Sequence, residues 1–440
     1  MNINRREWLA ACGVSTLSGA PPRRPNIVFI LSDDHHYQCL GAAGNPNIRT
    51  PNLDRMAAEG TLFTNATIST PQCAPSRGVL LSGMESFQNG LRSNGARSFR
   101  DGTGPTVVEQ MRRSGYQTAL AGKWHILNTP RDCGFTSAPL WLSEGGIRYQ
   151  NPIMRRGLDA PNQEQPGHIT ELLTQAAVDF IQGANSPSFL WLAYNAPHTP
   201  WYAPERYREI YAGKNARDLA PPNHPKNGAD FDWLTYYAVI SHLDDGIGRV
   251  LSAVEKKNAR NGTVVFFLGD NGYLCGTKGL NGKVHPWEES VRVPLIVAGG
   301  PVRKGLRIDD PVASVDLPST WLEVAGLERP SSLAGRRLLT ALTTGKNPPT
   351  EAFAAWDDPR PEALVARRAI EPYRLIRTRR HKLIVWQSGK QALYDFEADP
   401  GEERDLMEDP RSRTVRDDLQ RRLAARMAAT GDRARGWLQN

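Results

Sequence analysis

Short apolar runs that recur along the chain set its frame. Asn26–Leu31 (NIVFIL), Phe189–Tyr194 (FLWLAY), Val264–Leu268 (VVFFL) and Pro294–Ala298 (PLIVA) are almost wholly apolar or aromatic. Runs of that length suit parallel strands buried on both faces. Between them the period changes. Ile169, Leu172, Leu173, Ala176, Ala177 and Phe180 form one stripe at i, i+3, i+4 spacing, and Tyr237, Ile240, Leu243, Ile247 and Val250 form another. Each predicts a helix with one buried face. Strands alternating with such helices predict an α/β domain, a mostly parallel sheet sandwiched by helices. Beyond Gly335 the texture shifts. Arg374–Thr378 and Lys382–Trp386 predict a pair of antiparallel strands, and Val415, Leu419, Leu423 and Met427 predict a final helix. The expected division is a main domain over 24–335 and a smaller α+β subdomain over 336–440.

Composition narrows the class. With 40% hydrophobic and 23% charged residues in 440, the chain is neither disordered nor fibrous. No apolar run reaches the roughly 20 residues of a membrane-spanning helix, so no stable membrane insertion is expected. The formal charge of +8 suits an anionic partner, but no basic stripe or zinc-finger spacing points to nucleic acid. The five cysteines are too sparse for a disulfide framework and include no CxxC pair. Cys39, Cys133 and Cys275 read as structural. At the start, Asn4-Arg5-Arg6-Glu7-Trp8-Leu9 precedes a charge-free stretch to Ala20. Residues 1–20 therefore resemble a twin-arginine export signal, and the expected location is periplasmic or secreted. A frayed cytoplasmic N-terminus is the plainer alternative.

In an open α/β sheet, ligands gather beyond the carboxyl ends of the strands. Two such ends carry oxygen donors: Asp33-Asp34 after the first run, and Asp270-Asn271-Gly272 after VVFFLG. Three carboxylates and an amide oxygen converging on one point repel one another unless a hard cation lies between them. Helix caps and turn formers are the bland reading of any single Asp-Asn-Gly. Ligand type alone does not separate Ca2+ from Mg2+, since both prefer oxygen.

The sharpest motif is Cys73-Ala74-Pro75-Ser76-Arg77, followed by Gly-Val-Leu-Leu-Ser-Gly. It resembles the maturation signature of the type I, formylglycine-dependent sulfatases of the alkaline-phosphatase-like superfamily. Gly115–His125 (GYQTALAGKWH) resembles that family's second signature. Thr50-Pro51-Asn52-Leu53-Asp54, Ala196-Pro197-His198, Gly269-Asp270-Asn271-Gly272 and Gly282-Lys283 follow in the family's order. Ala392–Phe396 with Asp399-Pro400-Gly401-Glu402 is similar to its C-terminal subdomain. The resemblance spans Asn26 to Leu406.

The resemblance implies one Ca2+ per chain and the conversion of Cys73 to formylglycine by a separate maturase. Asp33, Asp34, Asp270, Asn271 and residue 73 become the metal's ligands. The implied substrate is a sulfated small molecule or saccharide, and the implied reaction is hydrolysis of its sulfate ester. A sulfate ester presents a charged, poorly electrophilic sulfur, so attack requires its oxygens to be neutralised. Lys123 and Lys283 supply charge for this. Arg77 holds the nucleophile, with Ser76 beside it. Formylglycine hydrate offers two hydroxyls on one carbon, one to attack sulfur and one whose deprotonation re-forms the aldehyde and expels sulfate. By the same resemblance, His198 protonates the departing group and His125 takes the proton from the second hydroxyl.

Three rivals stand beside this reading. A sulfamidase, cutting S–N, uses nearly the same machinery, and Phe87-Gln88-Asn89-Gly90-Leu91 resembles that branch. A phosphodiesterase or phosphonate hydrolase shares the metal and the modified residue. A noncatalytic sulfated-glycan binder needs neither acid nor base. His35 and His36 are read as lining the mouth of the site or as mere rim residues, whereas His168, His224 and His381 belong to no motif. The run Arg374–Lys382 holds five cations in nine residues and is read as a solvated edge strand, with contact to a polyanion as its second reading. Residues 139–168 and 201–230 are the candidate specificity loops.

Overall fold

The computed structural model describes residues 24–146, 148–184, 187–222, 224, 231–257, 262–358 and 370–438. The export-signal reading of residues 1–20 lies outside these, as does Cys12. Among the described residues no helix is long and apolar enough to cross a membrane.

The strands are β1 (Asn26–Ser32), β2 (Gly60–Thr67), β3 (Gln117–Lys123), β4 (Ser137–Leu142), β5 (Ile153–Met154), β6 (Gln163–Glu164), β7 (Ser188–Ala193), β8 (Thr263–Gly269), β9 (Arg292–Gly299), β10 (Leu306–Ile308), β11 (Val312–Ala313), β12 (Ala352–Trp356), β13 (Tyr373–Arg377), β14 (His381–Trp386) and β15 (Gln391–Asp395). The main sheet has the order β10-β2-β9-β8-β1-β7-β3-β4, with β11 also on β2. The short pair β5 and β6 stands apart from it. β1 lies parallel between β7 and β8 at its centre. Its side chains alternate between two cores: Ile27, Phe29 and Leu31 enter one, Val28 and Ile30 the other. That is why the run NIVFIL shows no polar alternation. The helices Ile169–Gly183 and Trp233–Lys256 cover one face. Val107–Arg113, Asp316–Val324 and Leu339–Thr344 cover the other.

The run Pro294–Ala298 corrects one expectation. β9 is antiparallel to both β8 and β2, so the sheet is mixed although mostly parallel. A parallel strand needs a crossover that carries the chain back to the amino edge. The segment 270–291 makes no such crossover. It stays at the carboxyl edge, where it places Asp270, Asn271 and Lys283, and β9 therefore starts there and runs the opposite way.

The smaller subdomain is an antiparallel sheet, β12-β13-β14-β15. The helix Arg413–Ala429 lays Leu419, Leu423 and Met427 on one face, while Val284 and Val291 pack on the other. The charged run Arg374–Lys382 is not a solvated edge. β13 and β14 are the two inner strands, and Arg374, Arg377 and Lys382 are buried. Arg374 binds both carboxylate oxygens of Asp432 and also Asp357. Arg377 grips Glu288 at 2.7 Å. Lys382 lies between Glu288, at 3.3 Å, and Glu402. Each buried cation thus has a carboxylate from a distant segment, as burial of charge demands.

Candidate active site

The carboxyl ends of β1 and β8 are adjacent, so Asp33-Asp34 and Asp270-Asn271 meet at the centre of the sheet. The backbone locks them together: the Asp270 amide donates to the Ser32 carbonyl at 2.8 Å, and the His35 amide to the Asn271 carbonyl at 3.0 Å. The Asp34 amide donates to Asp270 Oδ1 at 3.2 Å. Asp34 takes a positive φ of 61°, a conformation most side chains avoid. Its outlier position fits a site whose surroundings over-determine the backbone.

Cys73 opens the helix Cys73–Ser82, every residue of which is buried. Its sulfur lies 2.9 Å from Lys283 Nζ, 3.7 Å from Lys123 Nζ and 3.4 Å from Asp33 Oδ1. The helix N-terminus adds further positive potential there. Arg77, one turn on, spans two acids: one guanidinium nitrogen is 3.3 Å from Asp33 and 2.8 Å from Asp270. Lys123 ends β3, two strands from β1, and reaches Asp33 at 2.5 Å. Lys283 reaches Asp34 at 2.5 Å. Ser76 Oγ is buried with no hydrogen-bond partner among the described residues, so the structure gives it no hydrogen bond to residue 73.

These charges set the ionisation of the site. Burial raises the Cys73 thiol to about 12, and Asp33 reinforces the shift against Lys123 and Lys283. Burial also works against ionised Asp33, but Lys123, His198, Lys283 and Arg77 outweigh it and hold the carboxyl well below its usual value. Burial and the Asp33 charge push Asp270 up to about 6.

Asp33, Asp34, Cys73 and His198 each offer a ligand atom within 4.8 Å of the others. With Asp270 and Asn271 added, the donors are mainly carboxylate and amide oxygens, which suits a hard divalent cation. Asn271 Nδ2 donates to Asp34 Oδ1 at 2.6 Å, leaving its own Oδ1 buried with no partner among the described residues. An acceptor left over in this cluster is a place for a cation. The residues present therefore fit the metal that the sequence implies.

The two histidines lie on the loops after β3 and β7. Nδ1 of His198 donates to the Thr199 carbonyl, so its remaining ring nitrogen, Nε2, faces Asp34 Oδ2 at 3.7 Å. Tyr149 fixes the backbone of His198, donating its hydroxyl to the carbonyl at 2.8 Å. Burial holds His198 below its ordinary value, with Asp34 opposing. His125 has a φ of 66°. Burial first, then the Lys123 and Arg77 cations, lower its pKa to about 2, leaving a neutral ring. Gly145 packs on that ring: a Cβ placed there meets Cε1 and Nε2 at 2.3 Å. Gly145→Ala is expected to turn the His125 ring aside and lower kcat/KM about 100-fold, the scale of a misplacement near 1 Å. The melting temperature should barely move. Steady-state kinetics beside a thermal melt check this, and unchanged kinetics refute the contact's importance.

Asp33, Asp34, Cys73, Arg77, Lys123, His198, Asp270, Asn271 and Lys283 thus meet in one place, and the Lys123 and Arg77 cations act on His125. His35 and His36 do not line the mouth of the site. Both are fully buried: the ring nitrogens of His35 contact Ser32 Oγ and the Cys39 carbonyl, and the His36 ring stacks on Tyr37. Cys39, Cys133 and Cys275 are buried and free. Sequence reasoning missed Tyr149, Gly145 and Asn195. Both side-chain polar atoms of Asn195 are buried without a partner among the described residues. No local pattern marks the first two. Asn195 sits just before the Ala196-Pro197-His198 motif, and that position was its one signal.

The chain is similar to known proteins over most of its length. The sulfatase family model matches residues 25–327, and a model described as the C-terminal part of N-sulphoglucosamine sulphohydrolase matches 276–429. The ulvan-active sulfatase of Formosa agariphila is 28% identical over 93% of this chain and 82% of its own length. The N-acetylgalactosamine-6-sulfatase of Mus musculus is 30% identical over 77% and 69%. A solved protein in complex with its substrate, D-glucosamine-2-N,6-O-disulfate, superposes with a TM-score of 0.80 at 23% identity, covering 93% of this chain and 99% of that one.

Proposed function

Because the chain belongs to the sulfatase family and is a hydrolase of that family, we propose that its substrate is a sulfated saccharide, cleaved at its sulfate ester, and that Cys73 works as formylglycine. The observation that carries this is the set of cations around residue 73: Lys283 and Lys123 approach its sulfur, and Arg77 anchors the acids behind it. A site built to hold a sulfate needs positive charge on several sides of one nucleophile. The relatives named as an ulvan-active sulfatase and an N-acetylgalactosamine-6-sulfatase support a saccharide.

Asp33, Asp34, Asp270 and Asn271 would hold the divalent cation, calcium by family resemblance. When bound, that ion polarises a sulfate oxygen as a Lewis acid. The remaining work belongs to side chains. Lys123 and Lys283 bind the other sulfate oxygens and orient the sulfur toward residue 73. His198 Nε2, the ring nitrogen left free by the Thr199 bond, delivers a proton to the leaving oxygen. His125, held neutral against Gly145, accepts a proton from residue 73. A formylglycine-generating maturase is the partner this requires. Arg5 and Arg6 support export, to the periplasm or out of the cell.

His198→Ala tests the assignment. It is expected to slow a sugar sulfate roughly 10²–10⁴-fold, the contribution of a positioned acid. An activated aryl sulfate, whose phenolate needs little protonation, should suffer much less. Equal losses on both substrates would show that His198 is not the acid. Glucosamine N-sulfate belongs in the same panel. The match of residues 276–429 to the N-sulphoglucosamine sulphohydrolase model makes S–N cleavage the second reading, and turnover of that compound alone would establish it.

A further inference from the structure

On the far side of the loop that borders the active site lies a cleft of 860 Å³ between the two subdomains. The loop, residues 90–100, faces both ways. Toward the active site, Asn94 Oδ1 accepts from the Ala74 amide at 3.1 Å, and the Arg97 carbonyl accepts from the Leu127 amide at 2.9 Å. Toward the cleft it presents Arg92 and Arg100, and the C-terminal segment adds Arg433 and Trp437. The cleft's acids, Asp357 and Asp432, are both bound to Arg374. Arg92, Arg100 and Arg433 are exposed and have no carboxylate within ion-pair distance among the described residues. One guanidinium nitrogen of Arg100 is anchored on the Phe87 carbonyl, which orders its fork. Trp437 is half-buried, with the Arg374 guanidinium 5.0 Å from its ring centre.

We propose that this cleft is a second binding site for a sulfated saccharide, holding a stretch of the polymer remote from the sulfate being cleaved. The choice of a saccharide rests on the reading of the active site given above. Guanidinium forks match the geometry of sulfate oxygens, which they bind bidentately. An indole wall beside them offers a flat apolar surface to the C–H face of a pyranose. A polyanion bound by charge alone has no use for that wall. The catalytic pocket and the cleft share one loop, so both engage a single chain, and the second contact raises the effective concentration at the first.

The test is equilibrium binding of dextran sulfate to the full-length protein and to its Arg92→Ala/Arg433→Ala variant, with unsulfated dextran and a DNA duplex as comparisons. Both side chains are exposed and have no carboxylate partner among the described residues, so the fold should persist, and an unchanged melt confirms it. The expected result is a roughly 10-fold or greater loss of dextran sulfate affinity in the variant, with turnover of a small aryl sulfate unchanged. Unsulfated dextran should bind neither protein measurably. Undiminished affinity in the variant overturns the proposal. Equally tight, arginine-dependent binding of the DNA duplex also overturns it, since the cleft is then a general polyanion surface. Should the protein turn over no sulfate ester while the arginine-dependent loss remains, the reading of the active site fails and the cleft still stands as a site for sulfated polymer.

Discussion

Protein in which residue 73 remains an ordinary cysteine should show on the order of 10⁵-fold less sulfatase activity than the matured form, the scale on which loss of a covalent nucleophile acts. The thiol is pushed to about 12 by burial and by Asp33, so little thiolate forms at neutral pH, and only thiolate attacks. Maturation should leave the peptide about 18 Da lighter, as one sulfur and two hydrogens are lost and one oxygen gained. Mass spectrometry of that peptide, set against specific activity across preparations, checks the relation. Activity should rise in proportion to the lighter fraction, and full activity with wholly unmodified Cys73 would sink the mechanism. Cys73 through Ser82 are all buried. A maturase must therefore meet this segment before the chain closes over it, and adding the maturase to folded protein should restore nothing.

The second large effect lies away from the chemistry. Lys382→Met is expected to destabilise the protein by about 3–5 kcal/mol, the usual consequence of removing one partner from a buried ion pair. Lys382 is fully buried between Glu288 and Glu402 and also donates to the Pro286 carbonyl at 2.7 Å. Without it, two carboxylates face each other out of water. Glu288 gives the pH sign. Burial would raise it, but Arg377 and Lys382 pull it down to about 2. Its contribution is therefore present above its unfolded value near 4.5 and lost as pH falls toward 2. Urea denaturation at pH 7 and pH 4 measures both effects. Arg379→Ala, on the exposed part of the same run, should leave the midpoint nearly unchanged. If the two substitutions behave alike, the buried network carries no special stability.

The same network shows where sequence reading ran out. NIVFIL and VVFFL were legible because burial on both faces leaves a local signature, and the residues at their ends were legible because catalytic chemistry restricts residue type. The burial of Arg374, Arg377 and Lys382 was not. Five cations in nine residues look solvated unless their partners are known. Those partners, Glu288, Glu402 and Asp432, come from other parts of the chain. The direction of β9 was hidden for a related reason. PLIVA is apolar whichever way it runs, and its orientation follows from the path of 270–291. Tyr149 and Gly145 act through one hydroxyl and one missing Cβ, which no spacing rule encodes.

The path of 270–291 has a further consequence. Near its start the segment delivers Asp270 and Asn271 to the site, then Lys283, and shortly afterwards Glu288 to the inner strands of the smaller sheet. Seen as architecture, the molecule has two parts; seen as a cooperative unit, it has one. The smaller sheet is then no exchangeable module. A lineage that swapped it for another would also have to supply a new anchor for Glu288 or accept a loosened Lys283, so substrate range should diversify through loops while this junction stays fixed.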